Sequence, residues 1–271
     1  MTVPRSLLFV PGARPDMVAK VPRWAPDAVA VDLEDAVAPA DKDTAREATV
    51  RAVADLPRDT GLQVVVRVNA PSTSWYADDV AAVASAGSAV HGVVLPKLET
   101  PEQLADLHER LGGLPVIGGL ETVRGVARCR ELAPGCLAVY FGAEDFAASI
   151  GGRRTPGGRE VLYARSEVVL AAVLAGVGAL DQTVVAAHDA EAFRADAAAG
   201  RDLGYDGKIC IHPSQVALAH EAFTPTEDEV AHAREVIEAG RSGVGVVDGE
   251  MVDDVHLRMA RAVLGRAGVD A

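Results

Sequence analysis

The feature that most restricts how this chain can fold is an alternation of short apolar runs, each of strand length, with segments that carry the spacing of amphipathic helices. The runs are Ser6 to Val10, Ala28 to Asp32, Val64 to Val68, Gly92 to Leu95, Val116 to Leu120, Leu137 to Phe141, a weaker Leu180 to Ala186, and Lys208 to Ile211. Helical spacing occupies Lys42 to Leu56, Asp78 to Ala86, Pro101 to Leu111, Arg159 to Val177 and Asp189 to Leu203. Runs that are apolar throughout, rather than at every second residue, belong to strands buried on both faces, as in a parallel sheet covered by helices. Eight such units predict an α/β fold, a (β/α)8 TIM barrel. An open doubly wound sheet alternates in the same way, but its nucleotide-binding form carries G-x-G-x-x-G after the first strand, and Val10-Pro-Gly-Ala-Arg14 lacks it. After Pro213 the pattern is helical only, so the chain divides into a barrel over 1–221 and a short C-terminal helical extension over 222–271.

Composition narrows the class of partner. Hydrophobic residues make up 49% and aromatics 4%, so the core must be built from Ala, Val and Leu. A formal charge of −13 argues against nucleic acid, which needs a basic face. The three cysteines are odd in number and show no C-x-x-C spacing, which fits a reducing compartment and no zinc knuckle. The first apolar run is stopped by Pro11 and Gly12, and none reaches the roughly 18 residues of a membrane span. A cytoplasmic protein with neither a nucleic-acid nor a membrane partner is expected.

In a barrel the loops after the strand ends form the active face. Nearly every predicted strand delivers a polar group there: Arg14 after the first, Asp32, Glu34 and Asp35, Arg67 and Asn69, Lys97, Glu121, Gly142 with Glu144 and Asp145, and His212. Glu121 and Asp145 follow neighbouring runs and offer hard oxygen donors suited to Mg²⁺ or Mn²⁺, although acids in these positions also cap helices. Arg67 is placed to receive a carboxylate or oxyanion, or to pair structurally with the acids at 32–35. Those acids are themselves an alternative metal site, assigned here to orienting Arg67, Lys97 or metal-bound water. Lys97 also admits a Schiff-base reading, and His212 that of a general base or a turn-fixing residue. The glycine-rich stretch Gly151-Gly-Arg-Arg-Thr-Pro-Gly-Gly158 lacks the ending of a P-loop and reads as a mobile connection.

Arg5-Ser-Leu-Leu-Phe-Val-Pro-Gly12, Asp32-Leu-Glu-Asp-Ala-Val37, Arg67-Val-Asn69, Leu95-Pro-Lys97, Glu121-Thr122, Phe141-Gly-Ala-Glu-Asp145 and Gly204-Tyr-Asp-Gly-Lys-Ile-Cys-Ile-His-Pro-Ser-Gln215 occur in that order. Together they resemble the citrate lyase β-subunit-like family, relatives of the malyl-CoA lyases, and the likeness extends to Phe223-Thr-Pro-Thr-Glu227 and Met251-Val-Asp253. The resemblance implies a Mg²⁺-dependent carbon–carbon lyase, usually a homotrimer, that cleaves or forms a β-hydroxyacyl-CoA thioester and handles a small keto acid. Carried to this sequence, it makes Glu121 and Asp145 the metal ligands and Arg67 the substrate-binding arginine. Asp253 becomes an acid/base that reaches a neighbouring subunit's site, with Glu34 and Asp35 in the catalytic cluster. Gly142, Ala143 and Lys97 join the substrate-binding positions, and Arg14 and Lys20 fall near the CoA phosphates. An aldolase acting on free hydroxy-oxo acids, and a non-catalytic accessory subunit of a lyase complex, are the alternative readings.

Overall fold

A strand of four to six residues that is apolar on both faces can bury itself only between a neighbouring layer inside and helices outside, and here it does so eight times. The computed structural model describes residues 1–240 and 244–269. The strands β1 (Ser6–Pro11), β2 (Ala28–Asp32), β3 (Gln63–Arg67), β4 (Gly92–Leu95), β5 (Val116–Leu120), β6 (Ala138–Phe141), β7 (Gly178–Asp181) and β8 (Gly207–Cys210) pair in parallel in chain order. Pairing of β1 with β8 closes the barrel. Leu7, Ala28, Ala30, Val65, Val94, Ile117, Ala138, Tyr140, Leu180 and Ile209 fill its interior. Their strand neighbours, among them Leu8, Val29, Val31, Val64, Val66 and Val93, are buried on the opposite face, as the two-residue period requires. The register sets Pro11 beside Asp32 and Asp32 beside Arg67, which brings the strand ends to one rim.

Two expectations are corrected. Strand β7 is Gly178–Asp181 rather than Leu180 to Ala186, because the charge of Asp181 interrupts the apolar pattern and yet lies buried in the strand. Its carboxylate accepts from Arg165 Nε at 2.8 Å and Nη2 at 2.6 Å and from Lys208 Nζ at 2.7 Å. Lys208, with its side chain 0% exposed, also reaches Asp196 at 2.5 Å. Gln182 donates to Asp196, and the Tyr205 hydroxyl donates to the Arg165 carbonyl at 2.7 Å. Much of the motif from Gly204 therefore serves a buried, charge-balanced cluster that joins β7 and β8 to helices Leu162–Ala175 and Ala190–Leu203.

The second correction concerns the extension, of which 241–243 and 270–271 lie outside the described residues. The chain divides into compact units Met1–His220 and Glu221–Ala271. The second is not purely helical: a hairpin of β9 (Gly245–Val247) and β10 (Glu250–Val252) lies between helices Glu227–Gly240 and Asp254–Arg266. Asp248 (φ 54°) and Gly249 (φ 85°) form its two-residue turn, the left-handed pair that a tight hairpin needs. Ala233, Val236, Val252, Leu257, Ala260 and Leu264 make this unit's core. Among the described residues no helix is long and apolar enough to cross a membrane.

Replacing Lys208 by Met should cost on the order of 3–5 kcal/mol, since two buried carboxylates lose their shared ammonium. Thermal melting checks this, and an unchanged midpoint would show that the cluster contributes little. Burial raises the pKa of Asp196, but Lys208 and Arg165 outweigh it and hold the carboxyl below its ordinary value. Its stabilisation should be complete above the unfolded value near pH ~4 and should disappear as the pH falls through the lower folded value.

Candidate active site

Arg67, the last residue of β3, lies beside Asp32, the last of β2, and a half-buried guanidinium in that position must pair. Its Nε donates to Asp32 Oδ1 at 2.7 Å and its Nη2 to Oδ2 at 2.6 Å, the two-pronged geometry that suits Arg and a carboxylate. The Phe9 ring lies 4.9 Å from the guanidinium carbon. Asp32 also accepts the backbone N–H groups of Glu34 at 2.8 Å and Ala36 at 3.1 Å, which curls the acidic loop over the rim. Beneath that loop the ammonium of Lys42 donates to the carbonyls of Leu33 and Glu34, both at 2.7 Å, and to Asn69 Oδ1 at 2.6 Å. Asn69 is held in turn by the buried Asp79.

Glu34 links this half of the rim to the other. One of its oxygens lies 2.9 Å from Arg67 Nη1, and the other accepts from Lys97 Nζ at 2.5 Å. The Lys97 ammonium also approaches Asp35 at 3.8 Å and Asp145 at 3.9 Å. Lys97 has a φ of 48°, uncommon for a residue with a Cβ, and this conformation goes with an N–H that donates to Glu121 Oε1 at 2.7 Å. The Tyr140 hydroxyl donates to Glu121 Oε2 at 3.0 Å. Asp145 sits in the first turn of helix Ala143–Ser149. Gly142 precedes that helix, and a Cβ there would stand 2.5 Å from Glu121 Oε2. The glycine-rich loop is tied down by side chains: Arg154 bridges Glu144 at 3.0 Å and Glu160 at 3.4 Å, and Thr155 donates to Glu160.

Part of this rim borders a cavity of about 390 Å³. Asp32, Asp35, Glu121, Glu144 and Asp145 contribute carboxylates to its lining and Arg67 the one guanidinium, with Phe9, Phe141, Ile209 and Ile211 supplying an apolar wall. Burial raises the Glu121 pKa, and the charge of Asp145 adds to the rise although Arg67 opposes it. Burial likewise pushes Glu34 up to about 7, with help from Glu121 and Asp35 and against Arg67 and Lys97. Burial would lower Lys97, but Glu34, Asp35 and Glu121 more than reverse this and keep it an ammonium. A Schiff base needs the free amine, so that reading does not suit Lys97. Glu121 and Asp145 both line the cavity, one just after β5 and the other in the helix that follows β6, near enough for the charge of one to raise the pKa of the other.

Of the residues picked out by sequence, Arg67, Asp35, Glu121, Gly142, Ala143 and Asp145 meet at the cavity, while Glu34 and Lys97 lie directly behind its lining. Arg14 and Lys20 do not line it; both are exposed and share Asp16, at 2.8 Å and 3.5 Å. His212 bonds Ser214 within a turn. Asp253, in the second unit, caps helix Asp254–Arg266 by accepting the Val255 N–H at 2.9 Å, with His256 Nδ1 at 2.8 Å. The bond with His256 and that backbone N–H hold it below the ordinary carboxylate range. Sequence reasoning passed over Tyr140, Lys42 and Asp79. Tyr140 was traceable, as the polar member of an otherwise apolar run, two residues from inward-facing Ala138.

Glu34 is expected to titrate near neutrality. In isotope-edited infrared difference spectra a protonated-carboxyl band should shrink between about pH 6 and pH 8 and be missing in Glu34→Gln. A wild-type spectrum constant over that range would contradict the assignment.

Comparison with known proteins places this cavity in a family. Residues 5–213 match the HpcH/HpaI aldolase/citrate lyase family. A citrate lyase subunit beta-like protein of Deinococcus radiodurans is 49% identical over 278 residues, covering 96% of each chain. The citrate lyase subunit beta of Escherichia coli is 37% identical over 283 residues, covering 97% of this chain and 93% of its own. The crystal structure of the protein CitE from Mycobacterium tuberculosis, in complex with magnesium, acetoacetate and coenzyme A, superposes with a TM-score of 0.84 at 35% identity, covering 97% of this chain and 98% of that one. The chain belongs to the HpcH/HpaI aldolase/citrate lyase family, as a lyase of its citrate lyase β-subunit-like kind.

Proposed function

We propose that this lyase is Mg²⁺-dependent, with Mn²⁺ as a possible substitute, and that it cleaves or forms a β-hydroxyacyl-CoA thioester of the malyl-, citramalyl-, citryl- or 3-hydroxy-3-methylglutaryl-CoA type. The observation that carries this reading is the convergence of Glu121, Asp145 and Arg67 on one cavity. The magnesium, acetoacetate and coenzyme A bound by the M. tuberculosis relative support the ligand classes.

The residues fit a hard dication. Glu121 is 2% exposed and carries a carboxylate that burial disfavours, so a cation beside it relieves an existing cost. Each of its oxygens accepts one hydrogen bond and keeps a further lone pair. Glu121 and Asp145 would hold the ion. When bound, it supplies Lewis-acid stabilisation of negative charge on oxygen and an anchor for a keto acid.

The chain's own groups do the rest. Arg67, already aligned by Asp32, turns its remaining N–H groups to a substrate carboxylate or to the oxyanion of a thioester enolate. In cleavage the β-hydroxyl passes its proton to a carboxylate of the site, its oxygen becomes the keto carbonyl as the bond between the α- and β-carbons breaks, and the enolate carbon takes up a proton from the protonated acid/base. In the reverse, Claisen-type direction that α-proton is removed. Asp253 is proposed for this transfer from a neighbouring subunit, as a carboxylate when it removes the α-proton and as the acid when it returns it. Arg14 and Lys20, exposed in the segment after β1, remain the proposed contacts for CoA phosphates. Self-association, proposed as a homotrimer, is supported by an exposed stripe on helix Leu162–Ala175: Leu162, Tyr163, Leu170, Val173 and Leu174 fall within about 120° of its circumference.

Turnover of the four thioesters, compared with free 4-hydroxy-2-oxo acids in Mg²⁺ and followed by mass spectrometry, tests the reading. Activity on the free acids alone would replace it with the aldolase. Glu121→Gln and Asp145→Asn should each reduce kcat/KM on the order of 10²–10³-fold or more with the fold retained, and full activity in either would remove the metal assignment. Mixing Asp253→Ala with Arg67→Ala subunits should restore part of the activity if sites are shared. Mixed oligomers without rescue would rule out sharing.

A further inference from the structure

Glu121 is held in an unusual way for a carboxylate in a barrel mouth: each oxygen has one donor, and the two donors come from opposite sides. Lys97 N–H, just after β4, takes Oε1, and the Tyr140 hydroxyl, on β6, takes Oε2. Tyr140 is 2% exposed, and its ring belongs to the barrel core with Ala138, Ile117 and Leu180. In the β5–β6 register it stands opposite Gly119. A Cβ on Gly119 would meet ring atoms Cζ at 2.6 Å and Cε1 at 2.9 Å. The ring thus lies across the bare backbone of Gly119, and its hydroxyl extends to the side chain of Glu121, just beyond the end of β5. The Gly-Gly of β5 had no role in the sequence reading, and one of the pair is this notch.

We propose that Tyr140 is the positioning residue of Glu121, seated by Gly119, and that with the Lys97 N–H it fixes the carboxylate plane so that one lone pair of each oxygen remains for a divalent cation. The inference rests on the metal reading given above and assigns a role within it to residues that would otherwise be counted as barrel packing. Outer hydrogen bonds of this kind orient ligands, and their loss typically weakens metal binding by about 10–100-fold. The competing account is that a buried phenol simply needs some acceptor and Glu121 is the nearest.

Binding of Mn²⁺ to the purified protein, read from the electron paramagnetic resonance signal of the free ion, separates these accounts without reference to turnover. Tyr140→Phe should weaken Mn²⁺ binding about 10–100-fold and should have no further effect when added to Glu121→Gln. Gly119→Ala keeps the hydroxyl but displaces the ring, and should weaken binding in the same direction, so poor folding of one variant leaves the other as the test. Thermal melting of each variant guards against a loss of fold. If Tyr140→Phe binds Mn²⁺ within about twofold of wild type while Glu121→Gln binds it about tenfold or more weakly, the positioning role is wrong and the metal reading stands. If Glu121→Gln binds as well as wild type, the metal reading fails and this inference with it. An equal loss from Tyr140→Phe in both backgrounds would mean that Tyr140 acts through the fold and not through Glu121, and would also overturn it.

Discussion

The pairing of Arg67 with Asp32 is the constraint on which the rest of the barrel mouth depends. A guanidinium at the inner rim of a barrel cannot lose its proton, so it must find carboxylates or prevent the strands from closing. The register between β2 and β3 sets Asp32 directly beside it, and both prongs of the fork are engaged. From there charge alternates along the rim, from Asp32 to Arg67, to Glu34, to Lys97, and then to Asp35 and Asp145. Each residue in that series is oriented by the one before, so the position of Asp145 is connected to a pairing three strands away. Lys97 holds a left-handed backbone within this series, where one residue supplies both a cation to Glu34 and an N–H to Glu121.

The alternation does not end in balance. At the rim Asp32, Glu34, Asp35, Glu121 and Asp145 face only Arg67 and Lys97 among the groups just described, and Glu121, a buried acid at the cavity surface, has no guanidinium or ammonium in an ion pair with it among the described residues. Its raised pKa comes first from that burial, with the charge of Asp145 adding to the rise and Arg67 opposing it. A dication answers the excess of acid without a rearrangement of the rim, because the donors on Glu121 come from Lys97 and Tyr140 and need not move. The affinity for a cation proposed above follows from the way the barrel neutralises Arg67.

Much of this was readable in the chain, for physical reasons that also explain the failures. Strands such as Ala28–Asp32 and Val116–Leu120 are buried on both faces, so their apolar runs are unbroken and their limits visible. The acids follow those runs by one or a few residues, which is why Glu121 and Asp145 stood out. Strand β7 was misplaced because Asp181 is satisfied by Arg165 and Lys208, partners 16 and 27 residues away that no local pattern reveals. Lys42 and Asp79 support the acidic loop from inside helices, where a charge reads as solvent-facing. The hairpin in the second unit was missed although Asp248-Gly249 is a strong turn signal, since its strands are only three residues long. Asp253 is a different case: its cap explains why an acid suits that position, while its proposed chemistry depends on a partner that local pattern does not describe.

The barrel holds a second dense ion cluster, and the contrast between the two separates structure from function. Arg165, Asp181, Asp196 and Lys208 form a balanced set of two acids and two bases, with Lys208 wholly buried among them. Every charge has a partner inside the protein, so a ligand could enter only by breaking a bond that already exists. The rim cluster has the same residue types and similar distances but an excess of acid, and it opens on a cavity. Both clusters perturb their groups, so shifted pKa values do not distinguish them. Charge balance does: the saturated cluster can only hold elements together, whereas the unsaturated one retains an affinity that folding has not used, and that affinity is what a cation and an anionic substrate can draw on.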